Sequence, residues 1–217
     1  PWYGKHASGG AEIQCKTLAE RLKKSGLTIE VYTTCSNQFQ GEWKNDSKPG
    51  TFTENEIPVT RFKINNRNKS LFDHINEKIL SRQEISLQEE KDFFENNINS
   101  KDLIKAIKKD STSLFVFMPY LYGTTFYGSQ VHPKRSILIP CIHDEGYARM
   151  DLVKQMLSGV AAISFNSLPE QQFASSITEL PKNEVLGEGI DFLQNEIEYS
   201  NFQEKFNLNT FILCAGK

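Results

Sequence analysis

Between Gly10 and Lys24 the apolar residues Ala11, Cys15, Leu18 and Leu22 recur at helical spacing, with Glu12, Lys16, Glu20, Arg21 and Lys23 filling the positions between them. That period predicts an amphipathic helix. Gly26 follows as the left-handed residue on which helices end, and Thr28 to Thr34, containing Ile29, Val31 and Tyr32, then reads as a strand. Further short apolar runs lie at Val59 to Lys63, Leu114 to Met118, Ser136 to Ile139, Gly159 to Phe165, Asn183 to Leu186 and Phe211 to Ala215. Runs this short and this continuous suit strands covered on both faces. Helical spacing returns between Ser70 and Lys109, with Ser100 as N-cap ahead of Leu103, Ile104 and Ile107. Phe39 to Asn68, rich in Asn, Lys, Glu and Gly, has little period and reads as loops around one strand near Val59.

Helices alternating with buried strands predict an α/β fold, a Rossmann-like parallel sheet with helices on both faces. A βαβ unit needs a strand before its first helix, and Pro1 to Gly9 reads as loop. A central strand is therefore expected upstream of Pro1.

At 217 residues and 38% hydrophobic content the chain can bury one core of ordinary size. The charge balance of 25 Lys and Arg against 27 Asp and Glu supplies no basic field, so a nucleic-acid partner is not expected. Cys15, Cys35, Cys141 and Cys214 form no C-x-x-C pair, which argues against a zinc site or a disulfide framework and for a reducing cytoplasm. No metal and no cofactor is expected. The apolar runs fall far below the roughly 20 residues that span a bilayer. The reading is a soluble, cytoplasmic protein that retains the option of peripheral membrane contact. The patterns Asn45-Asp46-Ser47 and Asn68-Lys69-Ser70 match glycosylation acceptors and carry no weight here, because no secretion signal opens the sequence.

Gly9 and Gly10 stand where the first helix begins, and unpaired backbone N–H groups there attract anions such as a diphosphate. A plain loop entering a helix explains the same glycines. The spacing matches neither a dinucleotide fingerprint nor a P-loop. His143, Asp144 and Glu145 follow the apolar run Ile137 to Ile139, which puts them at a strand's carboxyl end, the ligand-binding edge of open α/β sheets. An imidazole there can act as acid, base or orienting group, and a structural histidine is the competing reading. Asp144 and Glu145 suit sugar hydroxyls, a metal or a solvated loop. Val160 to Ser167 reads as a buried strand whose Ser167 caps a helix opened by Pro169-Glu170, and Gly187-Glu188-Gly189 reads as a turn after another strand.

In order along the chain, Pro1 to Gly4 with Gly9-Gly10-Ala11-Glu12, Leu18 to Leu22 running through Gly26 to Thr34, His143-Asp144-Glu145, Asn166-Ser167 and Gly187 to Asp191 resemble glycosyltransferase family 4. That family is retaining and has two Rossmann-like halves in the GT-B architecture. The resemblance implies that residues 1–208 are the N-terminal acceptor domain and that 209–217 open a donor-binding domain of which the rest is missing. It implies a hexosyltransferase taking a nucleotide-sugar donor and a glycan, lipid or small-molecule acceptor, with His143 beside the transferred sugar. Gly9, Gly10 and Lys217 would lie near the donor diphosphate, Lys217 standing where the family usually has arginine. Asp144 and Glu145 would bind acceptor or sugar hydroxyls. The family's paired glutamates belong to the missing domain; the same spacing at Glu12 and Glu20 falls largely on a solvated helix face and is read as coincidence. Two alternatives share the architecture, a non-catalytic Rossmann-like carbohydrate-binding or scaffold module and a nucleotide-sugar isomerase.

Overall fold

The computed structural model describes residues 2–4, 9–37, 42–189 and 204–208. In chain order it runs α1 (Gly10–Lys24), β1 (Val31–Thr34), β2 (Gly50–Glu54), β3 (Ile57–Phe62), α2 (Lys69–Leu80), α3 (Leu87–Asn96), α4 (Lys101–Lys109), β4 (Phe115–Phe117), α5 (Gly123–Ser129), β5 (Ser136–Leu138), α6 (Asp151–Gly159), β6 (Ala162–Phe165), α7 (Leu168–Ile177) and β7 (Lys182–Val185). Strands β4, β5, β6 and β7 pair in that order, all parallel. Helices flank them, and the fold is α/β with a Rossmann-like parallel sheet.

Local chemistry sets the ends of these elements as expected. Helix α1 has the predicted bounds, and Gly26 after it has φ 89, a conformation that glycine adopts without steric cost. Ser100 caps α4 by accepting from the Leu103 amide, and Ser167 caps α7 by accepting from the Glu170 amide. Ser86 and Glu89 form a reciprocal capping box on α3.

Two features depart from the sequence reading. The stretch read as loops around one strand contains a second strand, β2, antiparallel to β3. The two join through Asn55 and Glu56, at φ 48 and 63, a tight turn whose positive φ values match the twist of a hairpin. Asn-Glu lacks the glycine that normally announces such a turn, and β2 is almost wholly exposed, so neither turn nor burial marked it in the sequence. Second, the strands form two sheets: β1, β3 and β2 make a separate three-stranded sheet in which β1 and β3 are parallel. The expected strand at Phe211 to Ala215, and the whole segment 209–217, lie outside the described residues.

One large core joins the layers. Phe93 packs against Phe72, Phe94 and Tyr147 at ring-centroid distances of 5.1, 5.3 and 5.6 Å. A smaller cluster of Tyr3, Ala19, Ile57 and Val59 seats α1 on the three-stranded sheet. The buried carboxylate of Glu90 accepts from the Asp151 and Leu152 amides at 2.9 and 2.8 Å, capping α6 from α3 across the core. Among the described residues no helix is long and apolar enough to cross a membrane.

Candidate functional site

The parallel strands deliver three loops to one edge: residues 139–145 after β5, 166–167 after β6 and 186–189 after β7. The second turn of α1 meets them. Gln14 Nε2 donates to Asn166 Oδ1 at 2.5 Å, and Asn166 Nδ2 donates back to Gln14 Oε1 at 3.2 Å. Cys141 Sγ lies 3.5 Å from Asn166 Nδ2 and 3.7 Å from Gln14 Oε1, completing a three-way contact between α1, the β5 loop and the end of β6. Beneath it, the buried carboxylate of Glu170 accepts from the Ile142 amide at 2.9 Å and the Asn166 amide at 2.7 Å. One carboxylate thus ties the loop leading into His143 to the neighbouring strand end, and charge-assisted bonds of this kind are stronger than neutral ones.

Cys141 sits at φ 53, a left-handed conformation that turns the loop sharply before His143. Burial, followed by the charge of Glu170, pushes its thiol up to about 12 against the lowering effect of the Asn166 amide; Glu188 and Glu12 add to the rise. A protonated thiol is a poor nucleophile, so Cys141 serves as a packing and hydrogen-bonding group at neutral pH.

His143 projects outward with its side chain 74% exposed, and its Nε2 lies 3.5 Å from Glu145 Oε2. Glu145 is held in turn: its Oε1 accepts from the Tyr120 hydroxyl at 2.5 Å. Tyr120 is buried, and burial, then the Glu145 charge, raises its phenol so that it remains a donor at any physiological pH. Asp144 points elsewhere, to Arg149, whose Nη2 and Nε lie 2.7 and 3.2 Å from its Oδ1. Of the two acids flanking the histidine in sequence, Glu145 orients the ring and Asp144 is neutralised by a neighbouring guanidinium.

Gly9 is the N-cap of α1 in extended conformation with no side-chain cap. A Cβ at Gly9 would stand 1.9 Å from Glu12 Oε2, whereas one at Gly10 would meet nothing within 4 Å. A side chain at Gly9 would have to displace the Glu12 carboxylate, whereas one at Gly10 would displace nothing. Glu12, expected on the solvated face of α1, is 8% exposed. The helix turns it back over its own amino end, where the positive dipole favours a carboxylate. The expected anion site at Gly9 and Gly10 consequently has a negative charge of the protein's own beside it.

The contact between Gln14 and Cys141 brings the start of α1 to the loop that leads into His143. Gln14, one turn from Gly10, touches Cys141, two residues before His143. Gly187, at φ 74, donates its amide to Phe165 O at 3.3 Å, and the charge of the adjacent Glu188 reaches Cys141. Lys217, Ile190 and Asp191 lie outside the described residues. The sequence reading passed over Gln14, Tyr120, Cys141 and Glu170. Each has a signal visible afterwards, Gln14 one helical turn after Gly10 and Cys141 directly after a strand, but none distinguishes a site residue from an ordinary one. Among the described residues no group of three His, Cys, Asp or Glu side chains is placed to hold a metal ion. Family models, curated proteins and solved structures yield no match to the chain.

Proposed function

We propose that the chain is the acceptor-side half of a retaining hexosyltransferase, moving a hexose from a nucleotide sugar to a glycan, lipid or small-molecule acceptor. The observation that carries this reading is the convergence of α1, the His143 loop, Asn166 and the Gly187-Glu188 turn on the carboxyl edge of the parallel strands, where open α/β sheets take their ligands. The charges sort the ligand further. Glu12, Glu145 and Glu188 around this edge repel a diphosphate and accept hydrogen bonds from hydroxyl groups, which suits a sugar acceptor. The donor diphosphate would then be met chiefly by a second domain, with Lys217 at its start and Gly10 contributing one open backbone approach.

In this scheme His143, steadied by Glu145 and through it by Tyr120, stands at the transferred sugar and acts on position and charge as the glycosyl bond breaks. The test is an NMR titration of the chain with a panel of neutral oligosaccharides and glycolipid headgroups, followed by nucleotide sugars. Acceptor-induced shifts confined to Gly10, Gln14, residues 141–145, Asn166 and Glu188 support the reading. Shifts elsewhere, or tight binding of a nucleotide sugar by the chain alone, overturn it.

A further inference from the structure

Strand β2 is an edge of the three-stranded sheet, and within the described residues it pairs only with β3. Gly50 to Thr53 are all exposed, Phe52 at 42%. Native proteins usually guard such an edge with lysine or proline, because its outward N–H and C=O groups template another strand. Gly50 to Glu54 contain neither, and the one charge among them, Glu54, is held by Arg61 at 2.5 Å.

The pairing with β3 fixes which backbone groups face outward. Opposed residues of an antiparallel pair alternate between exchanging both backbone hydrogen bonds and exchanging none. Pro58 has no N–H, so Thr53, its register partner, exchanges none with it, and by alternation neither does Thr51 with Thr60. The N–H and C=O groups of Thr51 and Thr53 therefore point away from β3, into solvent.

A second copy of the chain, lying antiparallel, matches these groups. Thr51 set against Thr53 of the second copy, and Thr53 against its Thr51, brings the outward groups together in about four hydrogen bonds. Phe52 then faces Phe52 of the second copy across a two-fold axis, and aromatic and threonine pairs are favourable cross-strand neighbours. Sliding the register by two residues sets Thr53 against Pro49, which has no N–H, or Thr51 against Asn55, which lies in the turn at φ 48. Sliding it by one opposes outward groups to inward ones. Charge favours the same register: Glu54 falls opposite Gly50 of the second copy, and the exposed Glu56 of each turn comes beside the exposed Lys48 of the other copy.

We propose that β2 is a homodimer interface, at which two copies of this chain pair antiparallel through Thr51, Phe52 and Thr53 and join their three-stranded sheets into one. The contact is isologous, so it closes at two copies. It is also small, which makes the dimer weak and dependent on concentration.

Sedimentation equilibrium of the chain from about 10 µM to about 1 mM tests this, with thermal unfolding of each variant as a folding control. The chain should pass from monomer to dimer within that range. Thr53→Pro removes an outward N–H without touching a bond to β3, and should weaken dimerisation by about tenfold or more. Glu56→Lys sets a lysine beside Lys48 of the other copy and should weaken it by a similar factor. Adding Lys48→Glu to Glu56→Lys should restore the dimer. Both charged positions are exposed, so the charge swap decides the matter even where the proline variant fails to fold. A chain that stays monomeric throughout, a folded Thr53→Pro variant that dimerises as before, or a charge reversal without effect or without rescue would each overturn the proposal.

Discussion

Gln14 and Asn166, 152 residues apart in sequence, exchange amide hydrogen bonds at 2.5 and 3.2 Å. This pair joins the first helix to the end of the third strand of the parallel sheet. Loss of one partner leaves the other half-buried without its bond, so Gln14→Ala and Asn166→Ala should each lower unfolding free energy by about 0.5–1.5 kcal/mol. The double variant should lose less than the sum, which denaturant titration of all four proteins would detect. Additive losses would mean that the two residues act separately.

His143→Ala separates chemistry from folding. The side chain is 74% exposed, so its removal should leave the thermal midpoint unchanged. On the proposed transferase reading, turnover of the intact protein should fall by about a hundredfold or more, with donor affinity held within a few fold. Normal turnover per folded molecule would exclude His143 from the chemistry.

Cys141 gives a stability slope at high pH. Its thiol is raised from 9.0 to about 12, so the native chain keeps a proton that the unfolded chain releases. The contribution is complete below pH 9 and is lost as pH climbs toward 12. Cys15 and Cys35 are shifted the same way by burial, so the slope should become shallower in Cys141→Ala without vanishing. Denaturant midpoints at pH 8 and 10.5 would measure this. Native Cys141 should also resist alkylation by iodoacetamide at pH 8.

Glu89 acts at the acid end. Its carboxyl is held down from 4.5 to about 2, first by the hydrogen bond from Lys78 and then by bonds from the backbone and side chain of Ser86. A depressed carboxyl stabilises the fold above its unfolded value and ceases to do so as pH falls from 4.5 toward 2. Glu89→Gln should therefore flatten the decline in urea midpoint between pH 5 and 2.5. An unchanged decline would show that the capping box is not coupled to the proton.

Glu90, one residue on, faces the core and caps α6. Glu90→Ala leaves one buried amide, of Leu152, and one partly buried amide, of Asp151, without their acceptor, and should cost about 1–3 kcal/mol in equilibrium unfolding.

What the sequence determined by itself was whatever depends on neighbours in the chain. The bounds of α1 follow from its apolar spacing and from Gly26, and the caps of α4 and α7 follow from Ser100 and Ser167. The strands β4, β5 and β6 follow from short apolar runs, because steric preference and side-chain period act over a few residues, whereas β7, expected as a buried strand, is polar and mostly exposed at the end of the sheet. The sequence also put His143 at a strand's carboxyl end. The hairpin at Asn55 and Glu56 was hidden because its turn carries no glycine and its outer strand buries little. Only the tertiary structure decided that Glu12 folds inward, that Glu145 rather than Asp144 holds His143, and that Glu170 ties two strand ends together. The Glu170 tie depends on segments brought close by packing, and a local pattern contains no term for a hydrogen bond formed between distant parts of the chain.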